Sequence, residues 1–146
     1  MENYKENDDL MLYMTLIEGI TINFNPTRNL IFSIVKPINY IEKPLKWSSG
    51  TLFFKNIYFT DLELINEFYE YPEFYRSAII SNSELLNKTI QKLNRLQKEY
   101  SSKLIHYYLY TLQGDMEIEF NIVCESHEFI LNDEAKPLEE FKGFDE

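Results

Sequence analysis

Few side chains in this sequence could carry catalytic or metal chemistry, and they are widely separated. Cys124 is the single cysteine, and His106 and His127 are the two histidines. A cysteine nucleophile needs a base and access to solvent, but the alternating pattern around Cys124 predicts a small buried hydrophobic residue. A zinc site needs three or four ligands, and two histidines 21 residues apart, even with Glu125 or Glu128, lack supporting spacing. We therefore predict no metal site and no cofactor, and we interpret His106 as a hydrogen-bonded structural residue.

Glu117 and Glu119 are the clearest carboxylate pair, because alternate residues of a strand share one face. Paired carboxylates can act as general acid and base when burial shifts their pKa values, but nothing in the sequence predicts burial here. Alternating glutamates are typical of a solvent-facing strand surface. The four glycines are scattered and form neither a phosphate-binding loop nor a GxSxG motif. We predict no catalytic residues and no enzymatic activity, and an enzyme that uses carboxylates or His106 is retained as an alternative.

The charge balance favours a basic protein partner. The 146 residues include 24 Asp+Glu and 14 Lys+Arg, which gives a formal net charge of −10. Such a chain repels nucleic-acid phosphates and anionic membranes, and it attracts basic surfaces. The acidic N-terminus does not resemble a signal peptide, no apolar run approaches the ~20 residues of a membrane helix, and one cysteine forms no intramolecular disulfide. We therefore expect a cytoplasmic protein with no nucleic-acid or membrane partner.

The apolar pattern predicts a single domain, residues 1–146, with loose acidic ends at about 1–9 and 132–146. Residues 20–35 read as a hairpin with a five-residue loop, and 103–124 as a hairpin that turns at 113–115. Residues 51–59 are apolar in both phases, which predicts a central strand. In the second hairpin, the side chains predicted to face the core are those of Met116, Ile118, Phe120, Ile122 and Cys124.

One helix is predicted to start at Ser81 or Ser83 and to run to about residue 100. Ser81 and Glu84 fit the spacing of a capping box. An apolar stripe with helical spacing follows at Leu86, Ile90, Leu93 and Tyr100. The basic residues Lys88, Lys92 and Arg95 either balance the acidic surface or bind an acidic groove or a phosphate. The expected fold class is α+β, with an antiparallel, meander-like sheet of about five to seven strands packed on one long helix at about 83–100.

The segment 61–75 is the strongest candidate for partner recognition, because it combines carboxylates with aromatic residues. Aromatic anchors and complementary charge give interfaces their affinity and their fast association. The alternative is an amphipathic segment whose aromatic residues pack inward. We predict a strand end or a short helix followed by an exposed loop. The residues predicted to bind the partner are Glu63, Glu67, Glu70, Tyr71, Glu73 and Tyr75.

Three stretches carry a resemblance to a known group of proteins. They are the alternating residues 20–24, Trp47 and the Ser48-Ser49-Gly50 turn before an L-x-F-x-x-I strand at 52–57, and the closing hairpin at 114–120. Across residues 10–131 this arrangement resembles small bacterial β-rich proteins that include the immunity proteins of polymorphic toxin systems. The resemblance implies a non-enzymatic protein that binds and blocks a cognate toxin, often a basic nuclease. It assigns no functional residues, because those families share no common binding motif.

Two further functions remain open from the sequence. The first is a small-molecule binding module, in which the sheet curves around an aromatic pocket. The second is a structural or oligomeric role, since exposed aromatic residues could pair two copies as a homodimer. A deep apolar cavity would favour the first over a flat acidic face.

Overall fold

The chain is described from a computed structural model, which covers residues 6–24, 27–38, 44–62, 71–96 and 104–141. Strands are the main element of these ranges, as the prediction of a largely antiparallel sheet requires. In chain order the elements are β1 (Leu16–Asn23), β2 (Asn29–Pro37), β3 (Trp47–Thr60), β4 (Glu73–Ile80), α1 (Glu84–Arg95), β5 (Ile105–Gln113), β6 (Met116–Leu131) and a 3₁₀ turn (Leu138–Glu140).

The six strands form a closed barrel with the spatial order β1-β2-β3-β6-β5-β4, in which neighbouring strands are antiparallel. Six strands agree with the predicted five to seven, and the predicted antiparallel pairing is confirmed. The order departs from a simple meander because β3 pairs with β6 instead of with β4. Closure lets the sheet bury its own apolar face, so the barrel interior is the core.

Aromatic rings fill the barrel interior. Phe32 on β2 lies at the centre, and its ring centroid is 6.0 Å from that of Phe54 and 5.5 Å from that of Phe74. The Phe120 ring from β6 is 6.1 Å away, and Tyr107 from β5 reaches to 5.1 Å from Phe54. These five side chains come from five different strands and are almost inaccessible to solvent. Their packing joins the two halves of the barrel.

The seam between β1 and β4 is short, and the segment before β1 extends it. Phe74 donates its backbone N–H to the Thr15 carbonyl at 2.8 Å, and Met14 donates to the Phe74 carbonyl at 3.0 Å. Asp8 forms a parallel bridge with Ser77 of β4, and its carboxylate accepts hydrogen bonds from the Ser77 hydroxyl and from the Leu12 and Tyr13 backbones. Residues 6–9, which the sequence placed in a loose end, therefore include specific contacts with the barrel.

The segment after β6, which the sequence also placed in a loose end, contacts the barrel as far as residue 141. Lys136 and Trp47 exchange backbone hydrogen bonds of 2.8 and 3.1 Å, and the Glu134 carboxylate accepts two hydrogen bonds from Ser49. The Phe141 ring is buried against Val35 and Trp47 in a second apolar cluster. The burial of Phe141 and the backbone bonds between Lys136 and Trp47 thus hold this acidic segment against the barrel.

The predicted long helix is wrong, because α1 has 12 residues and ends at Arg95. Ser83 is the N-cap, and its hydroxyl accepts the Leu86 N–H at 3.0 Å, so Ser83 is the correct choice of the two predicted starts. Thr89 is the one buried residue among Glu84–Arg95, and the stripe residues Leu86, Ile90 and Leu93 are half-buried. Because the barrel covers its own apolar face, it does not need a long helix against it. The predicted extension to residue 100 lies outside the described residues.

Both predicted hairpins are confirmed. β1 pairs with β2 from Leu16 to Asn23, and β5 pairs with β6 around a turn at Gly114 and Asp115. Gly114 has a φ of 59°, a left-handed conformation that suits glycine in a two-residue hairpin turn. Ile118, Phe120, Ile122 and Cys124 are buried as predicted. Met116 is instead 48% exposed, because it lies beside the turn at the end of the hairpin.

Candidate functional site

The structure describes half of the predicted partner-binding residues. Glu63, Glu67 and Glu70 lie outside the described residues. Tyr71 precedes β4 and is 40% exposed, while Glu73 and Tyr75 lie on β4 and are partly exposed. In the described part of 71–75 the chain therefore becomes a strand two residues before Tyr75, and it is not an exposed loop throughout.

A bulge in β4 sets the direction of Tyr75. Phe74 pairs with Thr111 of β5 and Arg76 pairs with Tyr110, so two steps along β4 match one step along β5. Tyr75 is the extra residue, and bulges of this kind redirect side chains. The Phe74 ring points into the core, whereas the Tyr75 ring lies 5.9 Å from that of Tyr110 on the outside of the barrel.

Three tyrosines form a row across this outer surface. The Tyr13 ring packs edge-on against Tyr75 with a centroid separation of 5.5 Å, and Tyr75 in turn neighbours Tyr110. The Asp8 carboxylate fixes the Tyr13 end of the row, because it accepts the Tyr13 backbone N–H at 3.0 Å. The guanidinium carbon of Arg76 lies 4.4 Å from the Tyr75 ring centroid, which is the geometry of a cation–π contact.

Carboxylates flank the row on β4 and β6. Cross-strand partners share a face of the sheet, so the pairs Tyr110 with Glu119, and Leu112 with both Glu73 and Glu117, place three carboxylates on the tyrosine side. Glu117 and Glu119 are exposed, as the alternation predicted. The residues Tyr13, Glu73, Tyr75, Tyr110, Glu117 and Glu119 are called the tyrosine–glutamate face below.

The surroundings of Tyr110 and Glu73 on this face raise the pKa values of both side chains. Desolvation, a hydrogen bond with Glu117 and the negative charges of Glu117 and Glu119 together raise the pKa of Tyr110 to about 12. Partial burial raises the pKa of the Glu73 carboxyl above its ordinary value. Tyr108, which lies two residues before Tyr110 on β5, donates its hydroxyl to Glu119 at 2.7 Å. Tyr110 therefore keeps its phenol proton at neutral pH.

The sequence did not reveal four members of this face. Tyr13, Tyr110, Glu117 and Glu119 lie outside the segment 61–75, and Glu117 and Glu119 were interpreted as a solvent-facing pair. Part of the face could have been predicted from the turn at Gly114, because a two-residue turn fixes the pairing of Tyr110 with Glu119. The bulge at Tyr75 had no sequence signal.

A second polar group lies where α1 meets the outer surface of β5 and β6. His106 Nδ1 is 2.6 Å from the Ser83 hydroxyl, and its Nε2 is 2.7 Å from Asn121 Oδ1. Since an amide oxygen only accepts, Nε2 carries the proton and Ser83 donates to Nδ1. Asn121 donates through its backbone and its side-chain amide to the Asp61 carboxylate. His106 is thus hydrogen-bonded in a strand, as predicted.

This chain of groups has the order of a nucleophile, a base and an orienting residue, but its surroundings indicate a structural role. Ser83 is 4% exposed, and its oxygen also caps α1 by accepting the Leu86 N–H. A serine that attacks a substrate must be reachable, and this one is enclosed between the helix and the sheet. The group therefore attaches the start of α1 to β5 and β6.

Acidification is expected to weaken the fold through its histidines. Burial lowers the pKa of His106 and His127 below 6.5, so below about pH 6.5 the unfolded chain binds more protons than the folded chain. The contribution of the two neutral histidines to the free energy of unfolding is therefore fully present above about pH 6.5. It is lost as the pH falls below that value, by about 1.4 kcal/mol for each unit by which the pKa is lowered. Urea unfolding of the wild type at pH 7.5 and 5.5 measures this loss.

His106→Gln is expected to lower the free energy of unfolding at pH 7.5 by about 1–3 kcal/mol, because Ser83 and Asn121 lose a buried partner. It is also expected to show a smaller loss between pH 7.5 and 5.5 than the wild type. His127→Gln is the control that retains the His106 contribution. Glu73, whose pKa is raised, acts in the opposite sense but equally in all three proteins. An unchanged pH dependence in His106→Gln would contradict the assignment.

The remaining chemical groups lie inside the barrel. Cys124 is fully buried, and burial raises the pKa of its thiol to about 12, so it stays protonated at neutral pH. The Tyr107 hydroxyl shares a hydrogen bond of 2.8 Å with His127 Nδ1, and desolvation raises the Tyr107 pKa. Within the described ranges, no three His, Cys, Asp or Glu side chains come together in a group that could hold a metal ion.

Among the residues that the structure describes, no helix is both long enough and apolar enough to cross a membrane. No family model, no curated protein and no solved structure matches this chain.

Proposed function

We propose that this chain is a non-catalytic, cytoplasmic binding protein that docks a basic protein partner through the tyrosine–glutamate face. By the resemblance in its sequence, that partner would be a toxin and the chain an immunity-type inhibitor. The observation that supports the proposal is the row of Tyr13, Tyr75 and Tyr110 on the outside of the barrel, bordered by Glu73, Glu117 and Glu119.

The composition of the face suits a protein interface. Tyrosine is enriched in binding hot spots because its ring buries a large area at a low cost in side-chain entropy, and its hydroxyl can hydrogen-bond. Carboxylates around such rings complement a basic surface and speed association, to which the net charge of −10 adds a long-range attraction. A strand scaffold holds these side chains in place before the partner arrives, which lowers the cost of binding.

The packing of the interior favours this function over the small-molecule module. A ligand inside the barrel would occupy the volume that four phenylalanine rings fill. The centroid of the Phe32 ring lies 5.5–6.1 Å from those of Phe54, Phe74 and Phe120. The aromatic side chains available for recognition are therefore those on the outer surface.

A capture experiment with charge-matched variants tests the proposal. The double variant Glu117→Gln/Glu119→Gln removes two charges from the face, while Glu139→Gln/Glu140→Gln removes two exposed charges from the 3₁₀ turn. Each tagged protein is incubated with lysate of the native host at low and at high salt, and the bound proteins are identified and quantified by mass spectrometry. At about 0.5–1 kcal/mol for each exposed charge, the first variant is expected to retain its partner roughly five- to thirtyfold less well.

The supporting result is one basic protein that the wild type and Glu139→Gln/Glu140→Gln both retain, that Glu117→Gln/Glu119→Gln loses, and that high salt releases. A partner that both double variants retain equally, or the absence of any captured basic protein, would overturn the proposal. Circular dichroism of each variant confirms that the barrel is intact.

A further inference from the structure

The position of Arg76 on the tyrosine–glutamate face is unusual. It places a cation among the aromatic rings and carboxylates that would bind the cations of a basic partner. Arg76 pairs with Tyr110 across β4 and β5, and its guanidinium lies over the Tyr75 ring. Glu119 is the next residue in the same cross-strand row. Within the described ranges Arg76 makes no ion pair, so its side-chain contact is with the ring and not with a carboxylate.

We propose that this face recognises arginine side chains of its partner, and that Arg76 occupies the arginine site on Tyr75 when the partner is absent. The inference rests on the proposed function, and it names the side chain that the face selects. Arg76 then acts as an internal competitor for the partner's guanidinium group.

The chemistry of the face distinguishes arginine from lysine. A guanidinium group is planar and weakly hydrated, so it can stack on an aromatic ring while its edge donates two hydrogen bonds to a carboxylate. The Tyr75 and Tyr110 rings are 5.9 Å apart, and carboxylates lie one strand further, at Glu117 and Glu119. A guanidinium that stacks on these rings and points towards β6 would therefore have carboxylates on its edge side. An ammonium group is a compact, strongly hydrated charge that cannot do both.

The contact that Arg76 makes lowers the affinity of the face for an external cation in two ways. It covers the Tyr75 ring, and it adds a positive charge to a face whose charged members are Glu73, Glu117 and Glu119. An incoming arginine must displace or share this contact, so removal of Arg76 should favour the partner. Exchange of one guanidinium group for another preserves the cation–π geometry. An arginine of the partner can therefore replace Arg76 on the Tyr75 ring.

Two peptides of equal charge, octa-arginine and octa-lysine, test the selection. Each is titrated into the full chain at low salt by calorimetry, and the amide shifts of residues 73–76 and 108–119 are followed by NMR. Octa-arginine is expected to bind at least fivefold more tightly than octa-lysine and to shift the amides of Tyr75 and Tyr110. Tyr75→Leu should reduce this ratio towards one, whereas Tyr75→Phe, which keeps the ring, should retain it.

Arg76→Gln tests the competition, with Arg95→Gln as the matched control. Both substitutions remove one cation, but Arg95 lies exposed in the last turn of α1. Arg76→Gln is expected to increase the affinity for octa-arginine at least threefold and to increase the ratio of octa-arginine to octa-lysine affinity. Arg95→Gln should increase both affinities slightly and leave the ratio unchanged.

The outcomes separate the two proposals. Equal binding of the two peptides, in a manner that Glu117→Gln/Glu119→Gln weakens, would overturn arginine selection and leave the acidic binding face in place. An Arg76→Gln variant that behaves like Arg95→Gln would overturn the role of Arg76. Failure of both peptides to bind, or binding that Glu117→Gln/Glu119→Gln does not weaken, would overturn both the inference and the use of this face for basic partners.

Discussion

Phe32→Ala is expected to lower the free energy of unfolding by about 3–5 kcal/mol, the range for removal of a buried phenylalanine ring. Phe32 is fully buried, and its ring contacts those of Phe54, Phe74 and Phe120. Three strands other than its own supply these contacts, so the cavity would lie where the walls of the barrel meet. Much of the stability of a domain of this size would be lost. Equilibrium unfolding in urea, followed by far-UV circular dichroism, measures the change.

Phe24→Ala is the matched control, because it deletes the same ring from an exposed position. Phe24 follows β1 and is 71% exposed, so its replacement is expected to change the free energy of unfolding by less than about 0.5 kcal/mol. If the two variants unfolded at similar urea concentrations, Phe32 would not lie at the centre of the barrel core.

Gly50→Ala is expected to destabilise the barrel by about 3 kcal/mol, the upper end of the usual cost of overpacking, because backbone atoms are involved. A Cβ atom at this position would collide with the Ile130 carbonyl oxygen and would lie 2.9 Å from Leu131 Cδ2. Gly50 pairs with Leu131 across β3 and β6, so these two strands would have to separate locally. The shift cannot be confined to one flexible side chain, because β6 backbone provides the closest contact. Thermal and urea unfolding, with NMR of the β6 amides, report both the loss and its location.

Gly19→Ala provides the control in another strand. Apart from its two chain neighbours, no residue has an atom within 4 Å of a Cβ added at Gly19, so the substitution introduces no collision. It should stabilise the protein by about 0.4–1 kcal/mol, since alanine reduces the conformational entropy of the unfolded chain. Equal destabilisation by both glycine substitutions would show that the close approach of β3 and β6 is not the cause.

Local patterns predicted the hairpins but not the barrel. Alternation within residues 20–35 and 103–124 identified β1 with β2 and β5 with β6, because each pair is joined by a short turn. Closure depends on β3 pairing with β6 and on β1 meeting β4, and these partners are far apart in sequence. Residues 51–59 were predicted to form a central strand because they are apolar in both phases, but in a closed barrel every strand has two neighbours, and the pattern does not identify them.

The length of the helix was overestimated because apolar spacing indicates that a segment is helical but does not indicate where the helix ends. Leu86, Ile90 and Leu93 do share a face of α1, but the helix ends before the fourth residue of the predicted stripe. Its last turn closes with the Leu96 N–H bonded to the Lys92 carbonyl at 3.1 Å. No glycine or proline marks this end in the sequence, so the usual stop signals gave no warning.

The candidate face was predicted at one edge only. Glu73 and Tyr75 were identified from the mixture of carboxylates and aromatic residues in one segment, whereas Tyr13 and Tyr110 join them through strand pairing and a bulge. Such a surface consists of parts of three separate stretches. A linear pattern can identify a part of it, but the register between strands decides which parts become neighbours.

The pairing of β3 with β6 also bears on how the chain is made. Lys55 and its partner Glu128 are 73 residues apart, so at about 5–20 residues per second a ribosome needs roughly 4–15 s to deliver the second after the first. During that interval the β6 side of β3 has no partner, and nascent chains with open strand edges are prone to aggregate. Newly synthesised copies should therefore depend on chaperones more than the finished barrel does.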